Sequence, residues 1–148
     1  MDAPVAQYVL DSFACLAYVG REPGAGAVGR VLRGAERGEA VLWMSWVNAG
    51  EVYYMTGKRR GSEAAERVLQ WLVSLPVALV HADRDACLSA AQLKASHRAS
   101  YADCFCAALA IEKKAKVVTG DPEFAHLSPE VEIEWLPRDE APATGEEG

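Results

Sequence analysis

Histidine is scarce in this 148-residue sequence, and the four cysteines, Cys15, Cys87, Cys104 and Cys106, form no C-x-x-C pair. The thiolate and imidazole sets that hold zinc are therefore missing, and the cysteines read as reduced, mostly buried thiols. No stretch approaches the roughly 18 consecutive apolar residues of a membrane helix. The apolar start contains Asp11 and lacks the basic leader of a signal peptide, so a cytoplasmic protein with no membrane partner is expected. Bases are absent from the last ten residues, "DEAPATGEEG", which carry four acids. That segment, 139–148, reads as a disordered acidic tail, leaving residues 1–138 as a single domain.

What is present is apolar and alternating. Hydrophobic residues make up 51% of the chain, enough for a core around one sheet. "QYVLD" (7–11) reads as a strand, and a helix starts at Ser12 and breaks at Glu22-Pro23-Gly24. A second helix is expected over 27–38 and a strand over "AVLWMS" (40–45). The pattern then turns helical from Trp46 to Met55 and ends in a basic turn, "GKRRG" (57–61). Ser62 reads as the N-cap of a helix reaching about Ser74, and "VALVH" (77–81) as a strand. Helices follow at Asp83–Ser96 and Tyr101–Lys114, then strands at "KVVT" (116–119) and "VEIEW" (131–135), with a short segment, 122–127, between them. Strands alternating with helices predict an α/β fold, a three-layer sandwich around a mostly parallel sheet of about five strands. In such sheets ligands collect beyond the carboxyl ends of the strands.

Four acids fall at that edge. Asp11 ends the first strand, Glu51 lies early in the helix after the second, Asp103 occupies the first turn of a later helix, and Asp121 follows the fourth strand. Each has a local explanation: Asp11 and Asp121 as N-caps, Asp103 in a Ser100-x-x-Asp103 capping box, Glu51 as a solvated helix residue. Gathered into one pocket they repel one another unless a cation intervenes. An all-oxygen donor set selects hard ions, which points to one or two Mg²⁺ or Mn²⁺ and to phosphodiester hydrolysis.

The net charge of −6 argues against a nucleic-acid partner only until its distribution is considered. Residues 1–138 hold 15 basic and 17 acidic groups, and setting four carboxylates aside as cation ligands leaves 15 against 13.

"YVLDSFACLAY", "SWVNAGEVYY", "LKASHRASYADCFCAALA" and "KVVTGDPEF" together resemble the successive motifs of the PIN-domain family, over roughly residues 8–137. Among its members the toxin ribonucleases of the VapC type are the most similar. The resemblance implies an α/β/α sandwich and a Mg²⁺- or Mn²⁺-dependent endoribonuclease acting through an activated water. It also implies an RNA substrate, a cognate antitoxin and a homodimer. Asp11, Asp103 and Asp121 match the family's metal-binding aspartates and Glu51 its glutamate, as catalytic and metal residues. Ser12 and Thr119 match positions that orient carboxylates or water, and Asn48 is a weaker match of the same kind. Lys94 stands where relatives commonly have lysine. With Arg98, Lys58 and Arg59 it forms the candidate set of RNA phosphate contacts.

Four other readings compete. A PIN-like module that binds RNA or protein without cutting is disfavoured by the intact acidic quartet, and an RNA-processing nuclease without a toxin role shares the same site. A phosphoacceptor receiver domain needs an acidic pair after its first strand and a phosphorylatable Asp after its third; "VLDSF" and "VALVH" supply neither. "GAGAVG" (24–29) matches a dinucleotide-binding glycine pattern but follows a helix and a proline turn, not a strand.

Overall fold

Successive residues of a strand point to opposite faces of the sheet, so a run apolar on both faces needs cover on both. The computed structural model describes residues 5–137 and shows that cover in place. The strands are β1 (Ala6–Leu10), β2 (Ala40–Ser45), β3 (Ala78–Val80), β4 (Lys116–Thr119) and β5 (Ile133–Trp135). They form one sheet in the order β3-β2-β1-β4-β5, with every neighbouring pair parallel.

Val9 of β1 and Val117 of β4 are register partners and enter one core, with Cys106, Leu109, Phe124 and Leu127. Leu10 and Val118, the next pair, enter the other, with Leu32, Leu42, Val52 and Leu72. Helices α1 (Ser12–Val19), α2 (Ala25–Glu36), α3 (Trp46–Arg60) and α4 (Ser62–Ser74) cover the Leu10 face. Helices α5 (Arg84–Ser96) and α6 (Tyr101–Lys113), with a 3-10 helix at Pro122–Leu127, cover the Val9 face. The result is the expected three-layer α/β/α sandwich.

The chain builds outward from β1 through β2 to β3, then returns to place β4 and β5 on the other side of β1. The direction of winding thus reverses between β1 and β4. A crevice opens at such a switch point, outside the carboxyl ends of the strands.

Several local expectations need correction. "GKRRG" is not a turn: Lys58, Arg59 and Arg60 form the last turn of α3, where cations complement the helix dipole, and the helix stops at Gly61 with φ 95°. Gly61, not Ser62, occupies the N-cap position of α4, because a left-handed backbone is needed between two abutting helices. The edge strands β3 and β5 keep only three residues each of the five expected, since each pairs on one side alone. The acidic segment 139–148 lies outside the described residues. The cysteines are as expected: Cys15, Cys104 and Cys106 are buried and Cys87 half-buried, all four free, and burial pushes the Cys15 and Cys106 thiols up. No helix of the described residues is long and apolar enough to cross a membrane.

Gly120, directly after β4, is required by space and not by its backbone angles. A Cβ there would stand 2.5 Å from Cε1 of the Phe13 ring, closer than real side chains approach. Gly120→Ala is expected to cost about 1–3 kcal/mol through overpacking. Urea denaturation should show a lower midpoint at unchanged slope, and Phe13→Leu in the same chain should recover part of the loss.

Candidate metal centre and active site

Because every strand is parallel, the helices that directly follow β1 and β2, α1 and α3, start at the edge where the strands end. Asp11 leaves β1 and caps α1, its carboxylate accepting from the Ala14 N–H at 2.9 Å. Asp121, two residues beyond β4, caps the 3-10 helix by accepting from the Glu123 N–H at 3.0 Å. Asp103 sits in the first turn of α6, whose N-cap Ser100 accepts from the Asp103 N–H at 3.0 Å. Glu51, in the second turn of α3, takes 2.9 Å and 3.2 Å hydrogen bonds from the Ser12 hydroxyl and the Asn48 amide. The capping explanations therefore hold for both aspartates, and they do not exclude the clustering.

Glu51, Asp103 and Asp121 line one cleft of about 270 Å³, together with Ser12, Ser100, Phe13 and Met55. Asp11 lies beneath it, 1% exposed. A fifth carboxylate, Glu123, also faces the cleft, and among the described residues no lysine, arginine or histidine does. Glu123 was missed in the sequence because it reads as an ordinary first-turn acid.

The charge accumulation registers in the acids themselves. Burial raises Asp11 to about 7, opposed by hydrogen bonds from Thr119 and Ala14 and reinforced by the charges of Asp103 and Asp121. Burial likewise raises Asp103 to about 6, with added repulsion from Asp121, Glu51 and Glu123.

The supporting polar residues fall around these acids. The Thr119 hydroxyl also accepts from the Asp121 N–H at 3.1 Å, so one residue touches two of the aspartates. Asn48 is wholly buried; its amide bridges Glu51 to the Ala102 carbonyl of α6 (3.3 Å), while its Oδ1 has no hydrogen-bond partner among the described residues.

The basic residues divide. The Lys94 ammonium donates to the Ala99 carbonyl at 2.8 Å and so braces the loop that delivers Ser100. Arg98 is exposed on the same loop, with no ion pair among the described residues. Lys58 and Arg59 do not flank the cleft as expected. They lie seven and eight residues beyond Glu51 along α3, about 10–12 Å further from the edge.

A hard divalent cation fits this donor set. The lining offers carboxylate and hydroxyl oxygens without a thiol, and the two raised aspartates are groups whose charge a cation would stabilise. Among the described residues no group of three His, Cys, Asp or Glu side chains is placed to hold a metal ion. Mg²⁺ needs none, since it is commonly held by one or two carboxylates with water completing its shell.

The chain belongs to the PIN domain family, whose model matches residues 8–128. No curated protein matches it by sequence. Among solved structures it is similar to VapBC2 from Rickettsia felis bound to a DNA fragment from its promoter. The TM-score is 0.69 at 17% identity, covering 88% of this chain and 99% of that one. It is similar to VapC20 of Mycobacterium tuberculosis, a sarcin-ricin loop cleaving toxin, with TM-score 0.67, 20% identity, and coverage of 89% and 100%. VapBC-5, of the VapBC family of toxin-antitoxin systems in the same organism, gives 0.59 at 17% identity, covering 88% and 98%.

Asp11 titrates near 7 when folded and near 3.8 when unfolded, so between those values the folded state holds the extra proton. Stability of the chelator-treated protein should accordingly fall as pH rises from about 4 to about 7, by an amount on the order of 4 kcal/mol. Thermal denaturation should show this slope flattened in Asp11→Asn. Added Mn²⁺ should restore stability at pH 8 far more than at pH 5.

Proposed function

We propose that this protein is a divalent-metal-dependent endoribonuclease, the toxin of a toxin-antitoxin pair, with its site in the cleft between β1 and β4. One observation carries the reading: several carboxylates converge on a crevice that no basic side chain lines among the described residues, at the ligand-binding edge of a PIN domain. Within a fold of nucleases, that arrangement favours catalysis over a module that binds without cutting.

In this reading Asp11, Asp103, Asp121 and Glu51 hold one or two Mg²⁺ or Mn²⁺ ions. A cation there supplies charge neutralisation for a phosphate and lowers the pKa of water. The chain's own residues perform the positioning. Ala14 and Thr119 fix the Asp11 carboxylate, while Ser12 and Asn48 fix Glu51 by its Oε1. A carboxylate of the cluster accepts the proton of the attacking water. Phe13, Leu16 and Met55 give the cleft an apolar wall against which a base or ribose can pack.

RNA phosphates approach from the side of Arg98, with Lys94 shaping the same loop. Hydrolysis by water requires no 2′-hydroxyl, so preference for RNA rests on the shape of the groove. The solved structures named as toxin-antitoxin systems and complexes support a protein antitoxin as partner, and the family resemblance implies a homodimer as the working assembly.

Asp103→Asn should bind Mn²⁺ at least tenfold more weakly by calorimetry and lose metal-dependent cleavage of a structured RNA by about 100-fold or more. Its far-UV spectrum and urea midpoint should stay close to the parent's. Near-normal cleavage by a folded Asp103→Asn chain would sink the site assignment. Retained metal binding without cleavage in either chain would favour the non-catalytic module.

A further inference from the structure

Further along α1 and α3 from the acidic cleft, the chain carries a site of opposite character. A groove of about 740 Å³ runs between α2 and α4, floored by Tyr18 and Trp71, whose rings stack with centroids 5.7 Å apart. Arg21, Arg33, Arg60 and Arg67 line it, and among the described residues no aspartate or glutamate does. All four arginines are exposed, and none has an ion pair among the described residues. Gly29 gives one of them its place: a Cβ there would stand 3.2 Å from the Arg33 guanidinium and 3.4 Å from the Tyr18 ring. The guanidinium thus folds back beside the aromatic floor. In a protein of net charge −6, four arginines around an apolar floor form a site for an acidic segment.

The chain supplies such a segment nearby. Leu136 and Pro137, the last described residues, pack on Gly24, where a Cβ would meet Leu136 at 3.1 Å and the Pro137 carbonyl at 3.3 Å. Ala25, the next residue, lines the groove. The sequence beyond Pro137 therefore begins at the groove's rim, and it carries Asp139, Glu140, Glu146 and Glu147 with no base after Arg138. Eleven residues reach up to about 36–40 Å when extended. The groove's α2 wall, from Ala25 to Arg33, spans about 12 Å.

We propose that the acidic segment 139–147 docks in cis on the arginine groove between α2 and α4 and closes it to other polyanions. The ion pairs are individually weak, but tethering at the rim supplies an effective concentration in the millimolar range. The proposal stands apart from the nuclease reading, since the groove shares no residue with the acidic cleft.

The test uses the full chain and a fluorescein-labelled peptide of sequence DEAPATGEEG, followed by anisotropy at about 20 mM ionic strength, where pairing between exposed charges is strong. One variant neutralises the tail (Asp139→Asn, Glu140→Gln, Glu146→Gln, Glu147→Gln). A second combines those changes with Arg33→Ala and Arg67→Ala.

The neutralised tail should leave the groove open, so that variant should bind the peptide at least threefold more tightly than the parent. The arginine substitutions should abolish the gain, as should raising ionic strength above about 300 mM. Far-UV spectra check that each chain folds, and if the arginine variant does not, Arg33→Gln alone replaces it. Equal binding by parent and neutralised chains would overturn the proposal. So would a gain indifferent to the arginines, or a concentration-dependent mass in the parent that the neutralised chain lacks, which would place the tail on a second copy.

Discussion

Like charges held together in a crevice of low dielectric repel, and the architecture around β1 and β4 is organised by that cost. Asp11 and Asp103 are both driven toward their protonated forms by burial, and other carboxylates aggravate the shift, with no basic side chain among the cleft's lining residues to relieve it. A protein domain has only a few kcal/mol of net stability, so an uncompensated strain of this kind is retained where something outside the chain relieves it. The hydrogen bonds from Thr119, Ala14, Ser12 and Asn48 hold the oxygens in place meanwhile.

Capping and clustering are one device in this fold. A parallel sheet brings the starts of the helices that directly follow its strands to the same edge, and acids are favoured at helix starts. Asp11 and Asp121 satisfy orphan backbone donors with their oxygens, and those bonds orient the carboxylates beside the switch-point crevice. Asn48 ties α3 to α6 through Glu51 and Ala102, joining two helices from opposite faces of the sheet at the site.

Charge is segregated across the molecule. Acids gather at the carboxyl edge of the sheet, and four arginines collect around the groove between α2 and α4. The formal charge of −6 averages over both and conceals each. A polyanion such as RNA responds to the local field within a Debye length, not to the sum.

The alternating apolar runs were enough to read five strands, the helices between them and the α/β class, because burial on both faces of a parallel sheet writes itself into consecutive residues such as Val9-Leu10 and Val117-Val118. Asp11, Glu51, Asp103 and Asp121 were legible as a set because each stands at or near a strand end or helix start. Other features depended on packing between distant segments and left no local mark. Gly120 is fixed by the Phe13 ring and Asn48 by contacts with α6. Lys58 and Arg59 were misplaced because helix α3 continues through Gly57, which sits against Ala65 of α4. Glu123 looked like any first-turn acid until the 3-10 helix turned it toward the cleft, and the arginine groove draws on residues from four helices. Periodicity and propensity are properties of neighbours along the chain, so the sequence by itself determined the elements and the edge at which the acids stand. Which side chains meet, and which charges remain without a partner among the described residues, was decided only when the helices packed.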